Sequence, residues 1–170
     1  MTAASTQLEE SNGVGPVVTI LTGDIMAGNN DSYNENINDY PITPGENSYE
    51  KYIKLHVTSL GTMTKVDNIK VWKSAGDSLG ANTSLKTNAR TSGYGGAPSY
   101  SAPVKTASAV ATQNMPTSTP ASANLGIGGS LSGSLSAAGY SDFLVMQVQT
   151  TSSETVGKEI ILSISWDETP

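Results

Sequence analysis

His56 is the chain's one histidine and the only side chain whose unperturbed pKa suits general acid–base chemistry near neutral pH. It sits between Leu55 and Val57 in a run that alternates apolar and polar residues, which places it on the polar face of a strand. Nucleophilic catalysis needs an activated group with a base in reach. Cysteine is absent, and no Gly-x-Ser-x-Gly elbow offers a serine. These residues favour a surface or interface histidine. Gly126-Ile127-Gly128-Gly129-Ser130-Leu131 imitates a phosphate loop but lacks its last glycine and the strand–helix context. Asp24, Asp31, Glu35, Asp39, Glu46, Glu50 and Asp77 are scattered through loops. Glycoside hydrolysis would need two carboxylates facing across about 5–10 Å, and nothing in the spacing selects a pair. The expectation is a protein that binds and packs rather than an enzyme.

Metal chemistry has one candidate. Asp24, Asp31, Glu35 and Asp39, with Asn29, Asn30, Asn34 and Asn38 among them, gather oxygen donors in a single loop. That composition suits Ca²⁺ rather than zinc. The spacing is not that of an EF-hand, and Asn and Asp also favour loops because their side chains satisfy nearby backbone groups. No cofactor is expected, with Ca²⁺ at these four acids as the alternative. Exposed aromatic rings stack on sugars or anchor interfaces, although tyrosine equally caps the edge of a core. The candidate interface residues are Tyr52, Trp72, Tyr94, Tyr100 and Tyr140, joined by Leu131 and Leu135 of a Gly/Ser-rich tract.

The elements that would carry these residues are strands. Val17–Thr22 is β-branched and stopped by Gly23. From Tyr49 to Ser59, Ile53, Leu55 and Val57 share one face, with Tyr52, Lys54 and His56 on the other. Val66–Lys73 follows after a short turn through Gly61, and the two read as a hairpin or adjacent pair. Phe143–Thr150 and Lys158–Trp166 alternate in the same way and read as a C-terminal hairpin. Weaker candidates cover 83–90 and 104–111. Residues 1–16 read as an extended N-terminal arm, and 17–170 as one domain with a low-complexity insertion at about 95–141. Deleting residues 1–16 is accordingly expected to leave the domain folded. The class is all-β: an antiparallel β-sandwich or jelly-roll-like domain with long loops.

Composition narrows the partners. The chain has 170 residues, 36% hydrophobic and 14% charged. Ser and Thr make up roughly a quarter, above average usage. With nine basic residues scattered singly and a net charge of −6, it lacks the Lys/Arg cluster that displaces counterions from nucleic acid. No uncharged apolar run approaches the ~20 residues that cross a bilayer. Met1–Glu10 has neither the basic nor the apolar region of a secretory signal, so synthesis and use without such export are expected.

The run Tyr49-Glu50-Lys51-Tyr52-Ile53-Lys54-Leu55-His56-Val57, the run Asn68-Ile69-Lys70-Val71-Trp72, and the closing segments Phe143–Thr150 and Glu159–Trp166 together resemble β-sandwich decoration (cement) proteins of tailed-phage capsids. The resemblance covers about half the chain and carries no site residue with it. It implies a virion structural protein on the outer capsid surface, made in the host cytoplasm. Its partners would be the major capsid protein and neighbouring copies of itself, as a homo-oligomer such as a trimer. Two other readings share the composition: a tail, fibre or other filament subunit, and a carbohydrate-binding β-sandwich with a Ca²⁺ loop.

Overall fold

The computed structural model describes residues 1–34, 36, 38–89, 97–154 and 157–170. Ten strands are present and no helix occurs among the described residues: β1 (Ser5–Asn12), β2 (Val17–Ile20), β3 (Lys51–Ser59), β4 (Lys65–Gly76), β5 (Thr83–Thr87), β6 (Gln113–Asn114), β7 (Ser134–Leu135), β8 (Gly139–Tyr140), β9 (Leu144–Thr150) and β10 (Ile160–Thr169). They form two antiparallel sheets. The seven-stranded sheet runs β2-β1-β3-β9-β5-β6, with β8 also paired to β3; the three-stranded sheet runs β10-β4-β7. The chain is an all-β sandwich.

Alternation puts the apolar faces of both sheets into one core. Ile53 and Leu55 of β3, Leu85 of β5, and Leu144 and Met146 of β9 pack against Ile69 and Val71 of β4. Removing each such side chain from water contributes about 1.5–3 kcal/mol. Small polar residues close the rest. Asn124, fully buried, accepts from the Val71 N–H at 2.8 Å and donates to the Val71 carbonyl at 2.7 Å, doing for β4 what a neighbouring strand would do. Asn68 adopts a left-handed φ of 51°, which asparagine tolerates better than most side chains, at a bulge where β4 carries one extra residue against β10.

Three expectations are corrected. The supposed N-terminal arm is a strand: β1 lies between β2 and β3, paired to both. Its deletion would therefore remove an interior strand of the larger sheet rather than a tether. Neither expected hairpin exists. β3 and β4 belong to different sheets, as do β9 and β10, so both short links cross the sandwich. The tract at 95–141, where described, is packed rather than loose: Met115, Ala123, Leu125 and Ile127 are buried, and it supplies β6, β7 and β8.

Candidate functional site

The interior of the larger sheet holds a buried ion pair. On the core-facing side of β1 and β3, the Lys51 Nζ donates to Glu10 Oε1 at 2.9 Å and to the Ser32 carbonyl at 2.9 Å. Asn12 Nδ2 donates to Glu10 Oε1 at 2.7 Å and to Asp31 Oδ1 at 2.8 Å, while Asp31 Oδ2 accepts from the Gly13 N–H. Lys51 and Glu10 are 1% and 0% exposed, and among the described residues Glu10 Oε2 has no hydrogen-bond partner. Of the four calcium candidates, Asp31 is thus committed to pinning its loop onto β1. Asp24 and Asp39 are exposed, and Glu35 lies outside the described residues. Among the described residues no three acidic or histidine side chains converge to hold a metal.

The outward side of the same sheet is strapped by residues 97–112. Glu50, buried, accepts from the Ser108 hydroxyl, from the Val104 N–H at 3.2 Å and from the Tyr52 hydroxyl at 3.3 Å. Buried Gln147 accepts from the Ser108 N–H and donates to the carbonyls of Ser48 and Thr106. Beneath the strap, Tyr52 meets Phe143 and the strap's own Tyr100 edge-on, with ring centroids 5.6 Å and 5.1 Å apart. Burial raises the Tyr52 hydroxyl pKa. Burial first, then the charge of Asp31, pushes that of Tyr100 up to about 12. The Tyr100 hydroxyl donates to the Gly13 carbonyl, tying the strap to the β1–β2 turn.

Beside the strap lies an aromatic and polar patch. The Tyr140 ring, 45% exposed, stacks on His56 with centroids 4.1 Å apart. His56 Nδ1 lies 2.7 Å from Glu9 Oε1, to which Gln7 Nε2 also donates. Lys54 Nζ sits 4.0 Å from the Phe143 ring centre and 5.4 Å from that of Tyr140. A histidine oriented by a carboxylate is half of a hydrolytic arrangement. Here the imidazole's hydrogen bonds among the described residues go only to Glu9 and Gln7, and its face carries a tyrosine. That geometry suits stacking and contact.

The sequence-derived interface set divides accordingly. Tyr140 is exposed as expected. Tyr52 is fully buried and Leu135 packs against the core, so neither is a surface contact in this chain. Trp72, Tyr100 and Leu131 are half-buried, and Tyr94 lies outside the described residues. The most exposed apolar surface was not singled out from sequence. Val14, Val17, Val18 and Ile20 are 90, 66, 56 and 49% exposed along the β1–β2 turn and β2. β2 is the outermost strand of its sheet, and Gly13–Gly23 carries no charge. The signal available was that uncharged, β-branched run close to Pro16. Comparison with protein-family models, with curated proteins and with solved structures found no match.

Proposed function

We propose that the chain is a virion structural protein that binds the outer surface of a phage capsid and stabilises the lattice. The observation that carries this reading is the bare β2 edge. Soluble proteins usually guard such edges with charge, bulges or cover, because an open apolar strand recruits other chains. Here Val17, Val18 and Ile20 stand exposed beside backbone that no strand pairs among the described residues, with Pro16 at the strand's start.

On this reading, the β1–β2 turn and β2 press against the major capsid protein, and neighbouring copies meet as a homo-oligomer, in the simplest lattice arrangement a trimer. An interface on the order of 1,000 Å² per contact, repeated over the shell, would suffice to hold it. The acidic net charge of −6 keeps unattached copies apart until the lattice aligns them. The test is co-sedimentation with particles assembled without the chain. The double variant Val18→Lys/Ile20→Lys alters only exposed positions, so it should fold normally and lose particle binding. Undiminished occupancy by that variant, or no particle binding by the unaltered chain, overturns the reading.

A further inference from the structure

A second open edge runs along β10, and its backbone can be read from the bonds made on the far side of β4. The Val71 N–H donates to Asn124 Oδ1 and the Lys73 N–H to the Pro116 carbonyl, both away from β10. Their partners across the ladder are Ile164 and Leu162. In an antiparallel pair, facing residues either exchange both hydrogen bonds or turn both sets of groups outward. Leu162 and Ile164 therefore present N–H and C=O to the open side. Ile160 does the same, since the residue before it, Glu159, accepts from the Asp77 N–H. No strand follows β10 in its sheet, and among the described residues no backbone group outside that ladder reaches these three.

The side chains tell the same story. Ile160, Leu162, Ile164 and Trp166 face the core yet are only partly buried, whereas Val66, Ile69 and Val71 of β4 are at most 1% exposed. Leu162 and Ile164 line an apolar cleft of about 100 Å³ with the partly buried Leu8 and Ile25 and the buried Leu55 and Leu144. Glu159 near one end of the edge and Asp167 near the other have no cationic partner among the described residues.

We infer that β10 is an acceptor edge for an extended segment of another polypeptide. The segment adds a fourth strand to the three-stranded sheet, places alternate apolar side chains in the cleft and sets basic residues against Glu159 and Asp167. A second copy of β10 fits less well. The register that matches the two apolar ladders, Ser163 opposite itself, sets Glu159 against Asp167 of the second copy at both ends. The inference does not depend on the capsid reading.

The probe is a fluorescent peptide as long as β10, alternating Val and Thr with Lys at each end, titrated against the full chain by anisotropy. A second peptide of the same sequence carries N-methyl groups on every other amide, those directed at β10. The expected result is saturable binding of the first and at least about tenfold weaker binding of the second. Ile161→Lys, at a position 52% exposed and outside the core, should weaken the first peptide by a similar factor. Binding of neither peptide overturns the inference, and so does equal binding of both, which would make the cleft a pocket for side chains alone. A dimer in sedimentation that Ile161→Lys dissolves would assign the edge to a second copy and also overturn it.

Discussion

Replacing Lys51 by Met should be among the most damaging single changes in this protein, and replacing its partner as well should undo most of the harm. Lys51 and Glu10 are almost wholly removed from solvent and 2.9 Å apart. Without the ammonium, the Glu10 carboxylate keeps, among the described residues, only the Asn12 amide, and one of its oxygens already lacks a partner there. Stranding a buried charge costs about 3–5 kcal/mol. Losing the donor to the Ser32 carbonyl adds about 1 kcal/mol. A domain of this size has a total stability of about 5–15 kcal/mol, so Lys51→Met should consume a large part of it. In Glu10→Leu/Lys51→Met the stranded charge is gone, Asn12 retains Asp31, and the net loss should fall to about 1 kcal/mol, or become a gain. Urea denaturation followed through Trp72 and Trp166 fluorescence measures all three proteins. A single-variant loss below about 1 kcal/mol, or a double-variant loss equal to or greater than that of Lys51→Met alone, would refute the reasoning.

Two further outcomes are expected. Tyr100 has a folded pKa of about 12 against an ordinary value near 10, so the unfolded chain releases its proton first as pH rises. Its contribution is whole below about pH 10 and is lost on the way to about 12; Tyr52, also raised, acts in the same direction. Phenolate absorbance should show these two tyrosines ionising late, and Tyr100→Phe should flatten the alkaline decline in stability; an unchanged decline would count against the assignment. Asn124→Ala leaves the Val71 N–H and carbonyl without their buried partner, and denaturation should record a loss of about 2–4 kcal/mol, whereas less than about 1 would mean that the cap is dispensable.

What the sequence made legible was which side of each long strand is apolar. Ile53, Leu55 and Val57, and Ile160, Leu162, Ile164 and Trp166, face inward as their alternation requires. Alternation specifies a face, however, and not a sheet. β3 and β4 turn their apolar sides toward the same core, a demand met equally by lying side by side or across the sandwich. The short link after β3 takes the second course and is held there by residues far away: the Thr62 N–H donates to the Thr2 carbonyl, and the Thr2 N–H to the Thr62 hydroxyl. β1 was unreadable for a related reason. Its Glu9 and Glu10 suggest a solvated arm, and the groups that make their burial tolerable, His56 and Lys51, come 47 and 41 residues later. The tract after 95 resembles a linker by composition because Ser, Asn and Gly are also the residues that can satisfy a buried backbone, as Ser108 does for the N–H groups of Val110 and Ala111.

The two open edges constrain each other. Leu8 of β1 shares a cleft with Leu162 and Ile164 of β10, and β2 continues the larger sheet from β1. Both bare strands therefore belong to the same flank of the sandwich. The opposite end of the larger sheet is finished differently: β6 is only Gln113 and Asn114, too short and polar to recruit a strand. A fold that closes one side and leaves apolar residues beside unpaired backbone on the other gains nothing from that asymmetry in isolation. It gains when the flank is covered. Val18→Lys/Ile20→Lys and Ile161→Lys divide the question, since they charge separate strands without touching the core between them. Loss of particle binding only in the first, and loss of peptide binding only in the second, would mean that one flank serves two partners through independent edges.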